Sequence, residues 1–331
     1  MTKILCHISI MSLLLSLGAC SDAPHSNPLD PQSPSFKSLA SVSGQVTIRN
    51  QGTPVPGATI SCIGQNISTQ TDANGRFSFA NISSGAIALG CVKEGFVSDT
   101  QRVSLDPGGS TSVTFALNAA PVISAPRIVT HKYDQYYPSP QYFVDISASV
   151  SDPNGIAEID SVWFAVDTLA FPMSYSVSSK LFETTIYKYD FPTNSIQWLV
   201  GKPLLVKSMD RYGAVGSSAA FFVSRVIENT ATPDYPTSLN NDTTGSLPLL
   251  KWTAPTVTFN YSYTLELARV DAGVETTVWK YAQLNSFFSE LQFPSDNSGL
   301  ILPSGNYVWR ISIVDDFENS ARSKGAYFVV K

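Results

Sequence analysis

Apolar and polar residues alternate along most of this chain of 331 residues. Between residues 41 and 119 the apolar positions recur at period two, in runs of two or three. The residues in these runs are Val46, Ile48, Ala58, Ile60, Cys62, Phe77, Phe79, Ile87, Leu89, Cys91, Val103, Leu105, Val113, Phe115 and Leu117. Side chains at period two lie on one face of a strand, so each run predicts a strand with one buried face. Turn-forming clusters such as 72–75 and 106–109 separate the runs, which predicts six or seven strands in a small β-sandwich.

The alternation continues beyond residue 119 with longer strands and more aromatic residues. An internal repeat is present there: segment 205–213 with 220–223 is similar to segment 311–319 with 326–329. Each copy predicts a strand, an acidic turn with an aromatic residue and a closing strand, as in the last hairpin of a sandwich. The repeat therefore predicts two further sandwiches, at 120–225 and 233–331, with a boundary near 226–233.

Residues 41–119 also resemble a known family, the carboxypeptidase regulatory-like domain. Four sequence blocks carry the resemblance, at 43–46, 54–60, 71–79 and 84–96. The resemblance implies a transthyretin-like, seven-stranded sandwich that is classed with carbohydrate-binding-like folds and has no catalytic group. Its motif residues are turn glycines and inward apolar residues. Ile87 departs from the family pattern, which commonly has Tyr at this position.

The two later sandwiches resemble broader families. Segments 249–255, 261–267 and 304–311 are similar to the Trp and Gly-x-Tyr-x-Trp strands of bacterial fibronectin type III-like domains. Segment 152–164 resembles part of an immunoglobulin-like domain. Both resemblances imply spacing and binding surfaces rather than catalysis. The predicted fold class is all-β: tandem β-sandwiches, transthyretin-like and then immunoglobulin-like and fibronectin type III-like, after a lipoprotein signal and a flexible tether.

The first residues resemble the signal peptide of a bacterial lipoprotein. Lys3 precedes a short apolar core at 8–17, which is too short to span a bilayer as a helix. The sequence Leu-Gly-Ala-Cys at 17–20 resembles the lipobox, which implies cleavage of 1–19 and a diacylglycerol on the Cys20 thiol. An ordinary secretion signal with a chance cysteine is the alternative. Ser21, rather than Asp, follows the cysteine, and this favours the outer membrane over the inner membrane.

Residues 20–40 are rich in Ser and Pro and predict a flexible tether behind the lipid. The chain has a formal net charge of −5, spread without blocks. This argues against nucleic-acid binding, which needs a basic stripe. Only His131 among the three histidines lies beyond the leader and tether, and one histidine does not make a zinc site of His ligands. Because the sequence also has no nucleophile elbow, phosphate loop or dinucleotide fingerprint, we predict no enzyme and no cofactor.

Three groups of residues are candidate sites. Cys62 and Cys91 both lie on the inward phase of their strands, so an exported protein could join them in a disulfide. Two free buried thiols are the alternative. Tyrosines of the segment 131–143 could offer flat rings to a sugar or a protein, or could be ordinary strand residues. These tyrosines are Tyr133, Tyr136, Tyr137 and Tyr142.

The third group is a calcium candidate. Oxygen-bearing side chains cluster in one loop, as calcium ligands do. They belong to Asp152, Asn154, Glu158 and Asp160. The alternative is that Asp-Pro-Asn-Gly at 152–155 simply forms a turn, and the spacing favours this alternative because it lacks the full calcium-loop pattern.

The function predicted from the sequence is that of a non-catalytic cell-envelope lipoprotein acting as a protein-binding or structural stalk module. A glycan-binding surface lipoprotein, using the first sandwich or the tyrosine segment, is one alternative. An accessory subunit of a secretion or surface complex is another. The expected partners are a membrane, through the lipid on Cys20, and a protein or an envelope glycan.

Overall fold

The computed structural model describes residues 39–137, 139–238, 242–296 and 298–331, together with His25, Asp30, Gln32 and Ser33. The predicted signal peptide, the lipidated Cys20 and most of the tether lie outside the described residues. The chain forms two compact units, which meet between Ala119 and Ala120 in the sequence. The predicted all-β fold of several sheets is confirmed. Within the described ranges, no helix has the length and apolar character needed to cross a membrane.

The described part of the N-terminal unit contains seven strands in two sheets. They are β1 (Leu39–Ile48), β2 (Thr59–Ile63), β3 (Ile67–Gln70), β4 (Arg76–Ser83), β5 (Gly85–Val92), β6 (Asp99–Leu105) and β7 (Ser110–Leu117). One sheet has the order β4-β1-β7, with β1 and β7 parallel, and the other has the order β3-β2-β5-β6. The strand number agrees with the six or seven that the period-two pattern predicts.

The core of this unit is built from the predicted period-two positions. All of them are buried except Ile48 and Val103, which pack against the core from partly buried positions. The turn between β3 and β4 is held by Asp72, whose Oδ1 accepts hydrogen bonds of 2.8 Å from two backbone N–H groups. Gly75 in this turn has a φ of +70°, and a Cβ there would lie 2.5 Å from the Val46 carbonyl oxygen. Glycine is therefore required at this position by both conformation and space.

The described residues of the C-terminal unit contain the remaining strands and three short 3-10 helices. The strands are β8 (Val122–Tyr133), β9 (Gln141–Ser151), β10 (Ile159–Val166), β11 (Leu169–Pro172), β12 (Ser174–Ser176), β13 (Leu181–Tyr187), β14 (Leu204–Asp210), β15 (Val215–Ser217), β16 (Thr232–Tyr235), β17 (Thr243–Thr244), β18 (Leu249–Thr253), β19 (Tyr261–Asp271), β20 (Val274–Asn285), β21 (Glu290–Gln292), β22 (Gly305–Asp315), β23 (Ser320–Arg322) and β24 (Ala326–Val330). The 3-10 helices are Ile156–Glu158, Lys188–Asp190 and Ile196–Leu199.

A single ten-stranded sheet runs through this unit. Its main order is β12-β13-β9-β8-β23-β22-β19-β20, and β24 and β17 continue from β22. Two smaller sheets have the orders β11-β10-β14-β15 and β16-β18-β21. The unit has two apolar cores, one containing Phe164 and Leu199 and the other containing Tyr263 and Trp309. The parallel pairing of β8 with β23 carries the large sheet from the first core to the second. The division into domains at 120–225 and 233–331 stays a prediction, and the two regions share this sheet.

The internal repeat is visible in the hydrogen bonds. Asp210 Oδ1 accepts bonds from the backbone N–H groups two and four residues later, at 2.8 and 2.9 Å. Asp315 Oδ1 accepts the equivalent two bonds at 2.9 Å each. Ser218 and Ser323 each accept a bond from the backbone N–H of the residue twelve positions earlier, at 3.0 and 3.1 Å. The acidic turns identified in the sequence are therefore side-chain-stabilised turns of the same geometry.

Candidate functional site

The four candidate tyrosines do not form one platform. Tyr133 lies at the end of β8 and Tyr142 near the start of β9, while Tyr136 and Tyr137 lie in the connection and are 64% and 92% exposed. Tyr133 pairs with Gln141, whereas Tyr142 pairs with the preceding residue of β8. Because successive residues of a strand point to opposite faces, Tyr133 and Tyr142 lie on opposite faces of the sheet.

Tyr142 is held by polar partners beside the first core of the unit. Its hydroxyl donates a hydrogen bond of 2.8 Å to Glu228 Oε2. The ammonium groups of Lys132 and Lys188 lie 5.7 and 5.3 Å from its ring centroid. Burial raises the pKa of the Tyr142 hydroxyl, and the contact with Glu228 raises it further. These contacts give Tyr142 a structural role.

Tyr133 lies on the other face, where β8 meets β23. The Arg322 guanidinium carbon is 3.7 Å from the Tyr133 ring centroid, and Phe143 meets the ring edge-on at 4.9 Å. Burial raises the pKa of Tyr133 and lowers the pKa of Arg322. A cation over an aromatic face stabilises such a junction by roughly 0.5–2 kcal/mol.

His131 is the centre of a polar ladder that crosses four strands on this same face. Its Nδ1 is 2.8 Å from Ser320 Oγ and its Nε2 is 3.2 Å from Asp145 Oδ2. Thr185 donates a hydrogen bond of 2.6 Å to Asp145 Oδ1. Burial opposes ionisation of Asp145, but the bonds from His131 and Thr185 hold its pKa below the ordinary value.

Serine, histidine and aspartate in this order are the residue types of nucleophilic catalysis. Acyl transfer also needs backbone N–H groups that are free to bind an oxyanion. Ser320 belongs to β23, which is paired with β22 on one side and β8 on the other. The backbone around Ser320 is therefore engaged in the sheet, and the geometry fits a structural ladder better than a hydrolase site.

A groove of about 660 Å³ lies beside this ladder on the same face. Strands β8, β9, β12 and β13 form its floor, and the turn before β23 contributes Glu318 at one wall. Glu318 forms an ion pair with Arg127 across that wall. We call this surface the polar face, and its main side chains are Arg127, Asp145, Ser147, Ser174, Glu183 and Thr185. The polar face could not be recognised from the sequence, because its only local signal is the recurrence of polar residues at alternate positions of β9 and β13.

The calcium candidate forms a turn in the structure. Asp152 Oδ1 accepts a hydrogen bond of 2.7 Å from the Asn154 backbone N–H, and the Asp152 carbonyl oxygen accepts one of 2.9 Å from Gly155. Asp152 and Asn154 are buried, whereas Asp160 is exposed. In the described part of the chain, no three His, Cys, Asp or Glu side chains are grouped so that they could hold a metal ion. The structure supplies no further support for calcium at Glu158 or its neighbours.

The predicted disulfide is absent from the structure. Cys62 and Cys91 are buried free thiols, as in the alternative interpretation. Cys62 pairs with Leu89 and Cys91 pairs with Ile60, so the two cysteines are diagonal neighbours across β2 and β5. Diagonal neighbours lie roughly 7–8 Å apart, beyond the reach of a relaxed disulfide. Burial raises the pKa of both thiols, and that of Cys91 to about 11 with an added contribution from Asp99.

An ion pair with a buried carboxylate joins the two cores of the C-terminal unit. Arg225 Nη1 donates a hydrogen bond of 2.8 Å to Asp315 Oδ2, and the Asp315 side chain is fully buried. Asn319 contacts both carboxylate oxygens and accepts a 2.9 Å bond from the Thr130 backbone N–H. The guanidinium of Arg225 also lies 4.0 Å from the ring centroid of Phe259. We call this cluster the junction cluster, and it gives Asp315 a structural role that its turn sequence did not reveal.

These observations define a protein of linked β-sandwich modules with a polar surface on the second. Residues 41–118 match the model of the carboxypeptidase regulatory-like domain family, which confirms that resemblance for the first module. None of the curated proteins compared with the chain matches it.

Several solved structures are similar in fold. The major pilin subunit of Bacillus cereus is 12% identical, with a TM-score of 0.32, and the similarity covers 88% of this chain and 93% of the pilin. Fibronectin(III)-like modules from Clostridium thermocellum are 14% identical, with a TM-score of 0.29 and coverages of 64% and 94%. A DUF3823 family protein from Parabacteroides merdae is 15% identical, with a TM-score of 0.27 and coverages of 57% and 100%.

Proposed function

We propose that this chain is a non-catalytic lipoprotein of the bacterial cell envelope, in which the sandwiches act as a protein-binding or structural stalk module. The observation that carries the proposal is the sheet shared by the two cores of the C-terminal unit. A shared hydrogen-bond ladder with a buried ion pair resists bending far better than a flexible linker does. A stiff pair of sandwiches suits a spacer or a scaffold for a partner.

The anchor in this proposal rests on the lipobox-like sequence that ends at Cys20. Two or three acyl chains, at about 0.8 kcal/mol for each buried CH₂ group, hold a protein on a bilayer almost permanently. Ser21 after the cysteine supports the outer membrane as the destination.

Metabolic labelling with palmitate tests the anchor. Wild-type protein should carry the label and sediment with membranes, whereas Cys20→Ala should be unlabelled. Cys6→Ala is the matched control, because Cys6 lies in the leader that is removed, and it should be labelled like the wild type. Unlabelled, soluble wild-type protein, or label that persists in Cys20→Ala, would refute the anchor.

Crosslinking on intact cells tests the structural or protein-binding role. The proposal expects one protein partner to be recovered repeatedly with the wild type. Recovery should decrease when the junction cluster is opened by Asp315→Ala, because the two sandwiches then lose their fixed geometry. A partner recovered equally well with that variant would argue against the scaffold role.

A glycan-binding role is the second candidate function. The specific observation that favours it is the polar face, whose floor is built from hydroxyl and carboxylate side chains.

A further inference from the structure

The floor of the polar face is set by strand register. Arg127, Ser147 and Glu183 are consecutive partners across β8, β9 and β13, and Ser174 of β12 extends the row. A second row, two residues away, contains Asp145 and its partner Thr185. Partners across an antiparallel sheet point to the same face, so both rows face the groove. The groove volume of about 660 Å³ lies within the range of small-ligand sites.

The charges on the polar face disfavour an anionic ligand. Arg127 is neutralised by Glu318, and Asp145 already accepts bonds from His131 and Thr185. Glu183 is therefore the carboxylate of the polar face whose charge its neighbours compensate least, and it would repel an anion. Hydroxyl groups from three serines and two threonines supply most of the other polar atoms. Such a surface matches a ligand with many uncharged hydroxyl groups, each of which can donate and accept.

An exposed aromatic ring borders the polar face. Tyr187 follows Thr185 by two residues on β13 and therefore lies on the same face. Its ring centroid is 5.6 Å from that of Phe143, and the residue is 45% exposed. Phe143 is in turn stacked on His131 at 4.8 Å, which fixes the position of the aromatic group. An apolar ring held beside a polar floor suits a ligand with one apolar side and several hydroxyl groups.

We propose that the polar face binds a neutral oligosaccharide, with one sugar ring stacked on Tyr187 and its neighbours hydrogen-bonded to Thr185 and Glu183. Residues 183 to 187 span roughly 13 Å of strand, which is longer than one sugar ring and therefore favours an oligosaccharide. This inference rests on the second candidate function and names its site and ligand class. The inference does not depend on acylation of Cys20. A negative result with labelled palmitate would therefore refute the lipid anchor alone, and a negative result in the glycan experiment would leave the anchor untouched.

The test uses the full-length protein in detergent on an array of neutral and acidic glycans, followed by affinity electrophoresis in gels that contain dextran, xyloglucan, galactomannan or polygalacturonate. At least one neutral glycan should be bound by the wild type. Tyr187→Ala should weaken its affinity at least tenfold, and Glu183→Gln at least threefold. Tyr212→Ala is the matched control, because Tyr212 is 55% exposed in a turn away from the groove, and its affinity should stay within twofold of the wild type.

Tryptophan fluorescence establishes that each variant is folded. If Tyr187→Ala unfolds, Glu183→Gln still tests the site, because this substitution changes one partly exposed side chain without changing its size. Binding to no neutral glycan overturns the proposal, as does binding only to acidic glycans or only to peptides on a parallel array. Equal binding by Tyr187→Ala and Tyr212→Ala also overturns it.

Discussion

The ion pair in the junction cluster should couple the two cores much more strongly than a surface ion pair does. The perturbation is a double-mutant cycle with Arg225→Ala, Asp315→Ala and the double variant. The Asp315 side chain is fully buried, and the Arg225 side chain is 32% exposed. A surface pair, Lys251 with Glu290, has an N–O distance of 3.0 Å, and its side chains are 48% and 55% exposed. This second pair is the matched control in the same unit.

The expected magnitudes follow from burial. Asp315→Ala removes a buried acceptor from Arg225, Asn319 and two backbone N–H groups, so it should cost about 3–5 kcal/mol of unfolding free energy. Arg225→Ala should cost about 2–3 kcal/mol, because the buried carboxylate keeps its other donors. The coupling free energy should be about 1.5–3 kcal/mol. The surface pair should give roughly 0–1 kcal/mol.

Urea denaturation followed by tryptophan fluorescence measures these free energies. All five tryptophans lie between residues 163 and 309, so the signal reports only on the C-terminal unit. If the unfolding free energy decreases with urea at the same slope for all variants, their free energies can be compared in one double-mutant cycle. A coupling at Arg225 and Asp315 no larger than that at the surface pair would refute the conclusion that this ion pair ties the two cores together.

Two further predictions concern the N-terminal unit. Because burial raises the pKa of the Cys91 thiol from 9.0 to about 11, the unfolded chain loses this proton first as pH rises. The resulting stability is complete below pH 9 and is lost as pH rises towards 11. Cys91→Ala should therefore flatten this pH dependence in hydrogen–deuterium exchange of residues 41–118, and an unchanged profile would contradict the prediction. Gly75→Ala and Gly52→Ala both place a side chain at similar positive φ, +70° and +67°, but only Gly75 has close neighbours for a Cβ. Gly52→Ala should cost about 1–2 kcal/mol and Gly75→Ala about 1–3 kcal/mol more, measured by the same exchange experiment; equal costs would show that the contact with Val46 is unimportant.

The strands and core of the N-terminal unit could be predicted because their pattern is local. Val46 and Ile60 each stand between two polar residues, and both are fully buried. Alternation could not decide between a disulfide and two free thiols at Cys62 and Cys91. The inward phase of Cys62 and Cys91 was right, but the pattern does not state which residue of β2 lies opposite which residue of β5. A register offset of two residues separates the thiols.

The polar ladder and the junction cluster could not be predicted because they depend on long-range pairing. His131 meets Ser320 only because β8 is parallel to β23, and these residues are far apart in sequence. No local pattern specifies which two strands become neighbours at the boundary of two sandwiches. The tyrosine segment shows that residues close together in the sequence need not share a surface. Its composition suggested one surface, but the two faces of each strand separate Tyr133 from Tyr142.

The pairing of β8 with β23 has a consequence for how this protein can be divided. A chain ended between the two C-terminal cores would leave residues 131–133 of β8, which pair with β23, with exposed backbone donors and acceptors. Open strand sides of this kind recruit other chains and lead to aggregation, which natural proteins avoid. The two sandwiches are thus separate as cores but continuous as a sheet, and moving the first one into another protein would require a new neighbour for residues 131–133 of β8.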